Sequence, residues 1–99
     1  MATYILMTKL GPEVLRDFRH RQAIGRMWKK AITEKCPEVH FISHYALLGP
    51  YDFLDIYEAP SEEVAAKVSM ITLGQGAVKA ESWTAIEYNR FLELLDEIA

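Results

Sequence analysis

Apolar and polar positions divide the chain into short elements. Residues 2–9, ATYILMTK, mix β-branched and aromatic side chains without a breaker and predict a strand. Gly11-Pro12 then opens a helix, because a proline at the first helical position lacks only an N–H that has no intrahelical acceptor. Glu13 in the first turn suits the helix dipole. Val14, Leu15 and Phe18 share one face, and Ile24, Met27, Trp28, Ala31 and Ile32 resume the pattern as far as about Glu34. The spacing slips across RHRQ, which predicts a bend or two helical pieces near residues 19–24. Pro37 stops the helix.

Residues 39–48, VHFISHYALL, read as a second strand, Gly49-Pro50-Tyr51-Asp52 as a turn, and residues 53–58, FLDIYE, as a third strand. Ser61 followed by Glu62 and Glu63 is a helix start. Val64, Ala65, Val68 and Ile71, with either Thr72 or Leu73, supply that helix's buried face, and Gly74 and Gly76 end it. Residues 77–86, AVKAESWTAI, form a fourth strand. A last amphipathic helix runs from about Glu87 to Ile98, with Phe91, Leu92, Leu95 and Ile98 expected inward.

The order β-α-β-β-α-β plus a C-terminal helix is the ferredoxin-like split βαβ plan of the α+β class. Right-handed crossovers give a four-stranded antiparallel sheet in the order 4-1-3-2, with the two main helices on one face. Alternation along the third strand separates Leu54 and Ile56 from Phe53, Asp55 and Tyr57. Leu54 and Ile56 are assigned to the helix side, which leaves Phe53, Asp55 and Tyr57 on the open face. Such a patch needs cover, and the simplest partner is a second copy of the chain.

Length and composition narrow the class. Ninety-nine residues fit one domain, residues 1–99. Apolar content of 51% and charged content of 25% are ordinary for a soluble globular chain. A net charge of −3 disfavours general nucleic-acid binding. MATYILMTKL makes a poor signal peptide, and no segment approaches the ~18 apolar residues of a membrane span. The lone Cys36 has no internal disulfide partner, so a reducing cytoplasm is the expected compartment.

The turn and its surroundings carry a resemblance. Gly49, Tyr51 and Asp52 match a Gly-x-Tyr-Asp turn. ATYILMTKLGPE, DFLDIYEAPSEEVAAKV and LGQGAVKAESWTAI resemble the opening strand, the third strand with its following helix, and the last loop and strand of the GYD-domain family. Nearly the whole domain is covered. The resemblance implies a dimeric α+β barrel in which two sheets pack face to face. Relatives of that architecture include cofactor-free monooxygenases, isomerases, haem enzymes and ligand-sensing modules. It implies no particular chemistry. The basic RHRQ stretch and the pair His40 and His44 lie outside the family pattern.

Candidate chemistry centres on the hairpin. If Pro50-Tyr51 is a two-residue turn, Gly49 pairs with Asp52, Ala46 faces Asp55 and His44 faces Tyr57. His44 then reaches both Asp55 and Tyr57. A carboxylate beside imidazole fixes its tautomer and makes the other nitrogen more basic, as an acid/base site requires. The bland alternative is a structural pair satisfied across a dimer interface. A three-residue turn would put His44 and Asp55 on opposite faces. Asp52 suits an Asx-type turn, Gly49 suits a positive φ, and Tyr51 is free to line a pocket mouth.

Other candidates are weaker. His40 and His44 share a face on a regular strand but sit ~13 Å apart, too far for one ion, and no metal site or cofactor is expected. If haem bound, His44 would be the first ligand to test. Cys36 before Pro37 at a helix end is disfavoured as a thiolate. The basic run Arg16, Arg19, His20, Arg21, Arg26, Lys29 and Lys30 suits a solvated face, or else an anionic ligand. Trp28 reads as core, and the side taken by Trp83 depends on register.

The expected function is small-molecule binding or sensing by a homodimer, without nucleic-acid or membrane partners. Ligand contacts are expected from His44, Asp55, Tyr57 and Tyr51. The alternative is a cofactor-independent enzyme, monooxygenase- or isomerase-like, with His44 as base and Asp55 orienting it.

Overall fold

In the computed structural model, which describes residues 1–99, the elements follow the expected order. They are β1 (Ala2–Leu10), α1 (Pro12–Arg16), α2 (Arg21–Lys35), β2 (His40–Ala46), β3 (Phe53–Ala59), α3 (Glu62–Gly74), β4 (Ala77–Ala85) and α4 (Tyr88–Ile98). The antiparallel sheet has the order β2-β3-β1-β4, the ferredoxin-like arrangement.

Local signals explain the boundaries. Pro12 begins α1, and the chain breaks at Asp17–His20 before α2 resumes at Arg21. Asp17 fastens the break: its carboxylate accepts from the His20 backbone N–H and lies 2.8 Å from His20 Nδ1. Ser61 caps α3 by accepting from Val64 N. Gly76 takes φ +102°, and a Cβ there would lie 2.8 Å from Val14 Cγ2. Its carbonyl accepts from Gly11 N, so the tight loop after α3 is tied to the end of β1. Gly49, by contrast, has no positive φ, so the turn does not use glycine's freedom there.

The core lies between the sheet and α2 and α3. Tyr4 and Leu6 of β1 and Tyr57 and Ala59 of β3 pack with Ile32 and Cys36 of α2 and Ala65 and Val68 of α3. Fully burying a side chain such as Leu6 or Val68 contributes about 1.5–3 kcal/mol. This reverses the expected strand faces. Tyr57 OH is 2.7 Å from Ser82 Oγ and donates to the Ala65 carbonyl of α3 at 3.4 Å. Phe53, Asp55 and Tyr57 therefore face the helices, and Leu54 and Ile56 face away. Alternation separated the two sets correctly, but β3 is apolar on both sides, so hydrophobicity could not say which side was covered.

Only 14 of 99 residues are buried, a thin core for a chain this apolar. The radius of gyration is 15.0 Å, against about 13 Å for a compact chain of this length. One cause is α4. Phe91, Leu92, Leu95 and Ile98, expected inward, are all exposed, Ile98 at 81%. Their stripe is apolar as read, but nothing in a single copy of the chain covers it.

Candidate functional site

The β2–β3 register places the hairpin's polar groups. Ala46 pairs with Phe53, Tyr45 with Leu54 and His44 with Asp55. Residues 47–52 form the connection, closed by Leu47 N donating to the Asp52 carbonyl at 2.8 Å. The turn is thus longer than two residues, and the register differs from the expected one by two. A shift of two preserves the face, so His44 and Asp55 still meet, now as direct partners. Tyr57 instead faces Phe41. The ladder is also irregular between Phe41 and Ser43, where Ile42 is the extra residue. This bulge puts His40 and His44 on opposite faces, contrary to the expectation for a regular strand.

His44 Nδ1 and Asp55 Oδ1 are hydrogen-bonded to each other. Asp55 is only 1% exposed, and its Oδ2 is buried without a hydrogen-bond partner. Burial pushes its carboxyl pKa up, against the opposing pull of His44 and Lys29. The His44 ring stacks on Phe53 at 5.3 Å and Trp28 at 6.1 Å between centroids. Trp28 is fixed in turn by Nε1–H donating to Thr72 Oγ1 at 2.9 Å. The imidazole is therefore oriented by a buried carboxylate and two aromatic faces, and Nε2 is left free to take or give a proton.

Beside this pair lies a cavity of about 350 Å³ between the sheet and the helices. The sheet lines it with Thr8, Leu10, Phe41, His44, Phe53 and Asp55. One face of α2 supplies Arg21, Ile24, Gly25, Trp28 and Lys29, a helical spacing of three and four. Thr72, Gln75 and Ala77 close the far end. The size is near the lower end of small-molecule sites. Gly25 stands mid-helix, where glycine costs about 1 kcal/mol relative to alanine, and nothing lies within 4 Å of a Cβ placed on it. Its missing side chain leaves the cavity open.

His44 and Asp55 are thus brought together at the cavity, and Tyr57 and Tyr51 are not. Tyr57 is sealed in the core at 0% exposure, its hydroxyl pKa pushed up to about 12 chiefly by burial. Tyr51 lies over the other face of the sheet. Its hydroxyl donates to Glu81 Oε1 at 2.9 Å, and its ring meets Trp83 edge-on at 6.2 Å. Trp83 Nε1–H donates to the same Glu81 oxygen at 3.0 Å, which settles its side of the sheet. Asp52 does not close a local Asx turn. Its Oδ2 accepts from Leu10 N at 2.8 Å, and its N–H donates to the Thr8 carbonyl at 2.8 Å. The turn is a clasp that ties the hairpin to β1 and β4.

Sequence reasoning missed Trp28 and Gly25 as cavity residues, and named Arg21 and Lys29 only within an undivided basic run suited to solvent or to an anionic ligand. The usable signal was positional: 21, 25 and 29 share a helix face with 24 and 28, which splits the basic run between cavity and solvent. Cys36 is buried, and that burial raises its thiol pKa. No group of three or more His, Cys, Asp or Glu side chains converges. No helix is long and apolar enough to cross a membrane.

A ferredoxin-like α+β sheet with a helix-side cavity and a Gly-x-Tyr-Asp clasp defines the class. The family model described as GYD domain matches residues 4–95, and the chain belongs to that family. A protein of Thermus thermophilus, described as "Glutamine synthetase and cystathionine beta-lyase binding protein", is 35% identical over 48 residues. That match takes in 48% of this chain and 50% of the relative, so the chain spans about half of that protein's length. The crystal structure of TTHA0845, also from Thermus thermophilus, superposes with a TM-score of 0.55 at 25% identity, covering 88% of this chain and 95% of that one.

Proposed function

We propose that the protein binds a small organic molecule in the cavity between its sheet and its helices. The observation that carries this reading is the buried Asp55, paired through His44 to an open cavity walled by Trp28, Phe41 and Phe53. A polar pair in an apolar cavity is expensive to keep without use. The Thermus relative's description names two enzymes as what that protein binds, which bears on the exposed faces of the chain and not on the cavity. Trp28 is a built-in reporter. A ligand should change its fluorescence in the wild type, and Gly25→Leu, which fills the space, should abolish that response without unfolding the chain. An unchanged response in Gly25→Leu would place the ligand elsewhere.

A second reading is proton transfer on the bound molecule, favoured by the Asp55 carboxyl group held at His44 Nδ1. His44 would act as base and Asp55 would orient it. Tyr51 and Tyr57 lie outside the cavity, so a substrate oxygen would be held by Arg21 or Lys29 instead.

The exposed surface supports a homodimer. Tyr45 and Trp83 are about half exposed on the open face, near Leu54 and Ile56, and the α4 stripe is bare. We place a second copy there, and a cytoplasmic location fits the unpaired Cys36. Ile56→Asp should lower dimer affinity by on the order of a hundredfold, since symmetry counts each lost apolar contact twice. Light scattering that finds a monomer for the wild type at micromolar concentration would remove the dimer. Enzyme partners like those in the Thermus relative's description would then be the natural occupants of the same face.

A further inference from the structure

The charge around the cavity runs opposite to that of the chain. The whole chain carries −3, yet the cavity's one acid, Asp55, is engaged by His44, while Arg21 and Lys29 both line the space. Neither cation forms a salt bridge; the chain's ion pairs are made by His20, Lys30, His44 and Arg90. Arg21 lies with its guanidinium carbon 5.7 Å from the Phe53 ring centroid, and its Nη1 is buried without an acceptor. A guanidinium held over an aromatic ring and lacking an acid is a preformed fork for a carboxylate.

We infer that the cavity takes a small organic carboxylate with a flat apolar body. Arg21 anchors the anion, Lys29 adds positive charge at the α2 edge, and Trp28, Phe41 and Phe53 hold the ring. The arrangement also suits the chemistry of the pair, because the anion end is steered to α2 while the body lies along the His44 side. The inference rests on the binding reading above, and adds the ligand's charge and shape to it.

The test uses three probes of one size: benzoate, benzamide and benzylamine. Binding is followed by NMR at low salt, through the indole resonance of Trp28 and the ring resonances of His44. Benzoate should perturb both and bind about tenfold tighter than benzamide, and benzylamine should bind weakest. Arg21→Gln should erase benzoate's advantage and leave benzamide unchanged; Lys29→Gln, at an exposed position, should reduce it in part and covers the case in which Arg21→Gln misfolds. Equal binding of benzoate and benzamide to the wild type would overturn the anion inference and leave the cavity reading standing. If no probe moves either residue at millimolar concentration, the cavity reading falls and the inference falls with it. Gly25→Leu should block every probe; a benzoate response that survives in it would place the anion outside this cavity and overturn the assignment.

Discussion

Asp52 and Asp55 stand three residues apart on one hairpin, and the chain employs them in opposite ways. Asp52 sits at the end of the clasp, where its carboxylate accepts from the Leu10 backbone N–H and its own N–H reaches Thr8. Each of these hydrogen bonds is to main chain, and together they hold the hairpin against β1. Asp55 lies under the helices, engages one side chain, His44, and leaves one oxygen without a partner. The first carboxylate completes backbone hydrogen bonding that the strands leave unfinished. The second is an unfinished polar group that borders a cavity. The difference teaches that a family's most visible motif can be a structural fastener, while the unfinished polar group that borders the cavity stands a few residues further on.

The largest expected effect of breaking this contrast is at the clasp. Asp52→Ala orphans the amide of Leu10, a buried residue, and removes a hydrogen bond to a charged group, which costs about 1.5–3 kcal/mol. Urea denaturation measures it. Trp28's response to a cavity ligand should survive at temperatures where the variant is folded. If Asp52→Ala keeps its stability but loses binding, the division of labour between the two aspartates is wrong.

Tyr51→Phe is a milder cut at the same clasp. It removes the bond to Glu81 and keeps the ring against Trp83, and should destabilise the fold less than Asp52→Ala does, because the Tyr51 hydroxyl is open to solvent and water can replace its partner. Tyr51 also gives a spectroscopic check. Glu81, accepting from it, raises its hydroxyl pKa, so its ultraviolet titration should move down toward the ordinary tyrosine range in Glu81→Gln. An unmoved titration would mean that the contact does not persist in solution.

How much of this was legible in the sequence follows from which physics is local. The strands, the break before α2, the Ser61 cap and the sheet order come from periodicity, breakers and crossover handedness, and each is written in a few adjacent residues. The pairing of His44 with Asp55 was also within reach, because a register error of two leaves a side chain on its face. The covered side of β3 was not. Leu54 and Ile56 are as apolar as Phe53 and Tyr57, and only the small Ala65 and the serines at 69 and 82, distant in sequence, create the niche into which Tyr57 OH fits. The bulge at Ile42 left no mark in composition. The inward reading of α4 failed for a related reason: an amphipathic stripe states that something must cover it, and not whether that cover belongs to the same chain.

The subtlest test concerns Asp55 itself, and its sign can be worked out. Burial raises the carboxyl pKa above its unfolded value, so the folded chain holds that proton more tightly than the unfolded one. The stability this contributes is full below the unfolded value, about 3.9, and is lost as pH rises through the elevated folded value. Asparagine does not titrate, keeps a side-chain oxygen at His44 Nδ1, and has no charge to desolvate. Urea denaturation of the wild type and Asp55→Asn across a pH series isolates the effect, since every other carboxylate cancels in the difference. Asp55→Asn should gain on the wild type as pH climbs through that window, while losing the fixed carboxylate that an acid/base role for His44 needs. If the wild type gains instead, the attraction of His44 and Lys29 outweighs burial. Asp55 would then be satisfied by its ion pair as Asp52 is satisfied by a backbone amide, and the contrast between the two aspartates would shrink to one of location and partner.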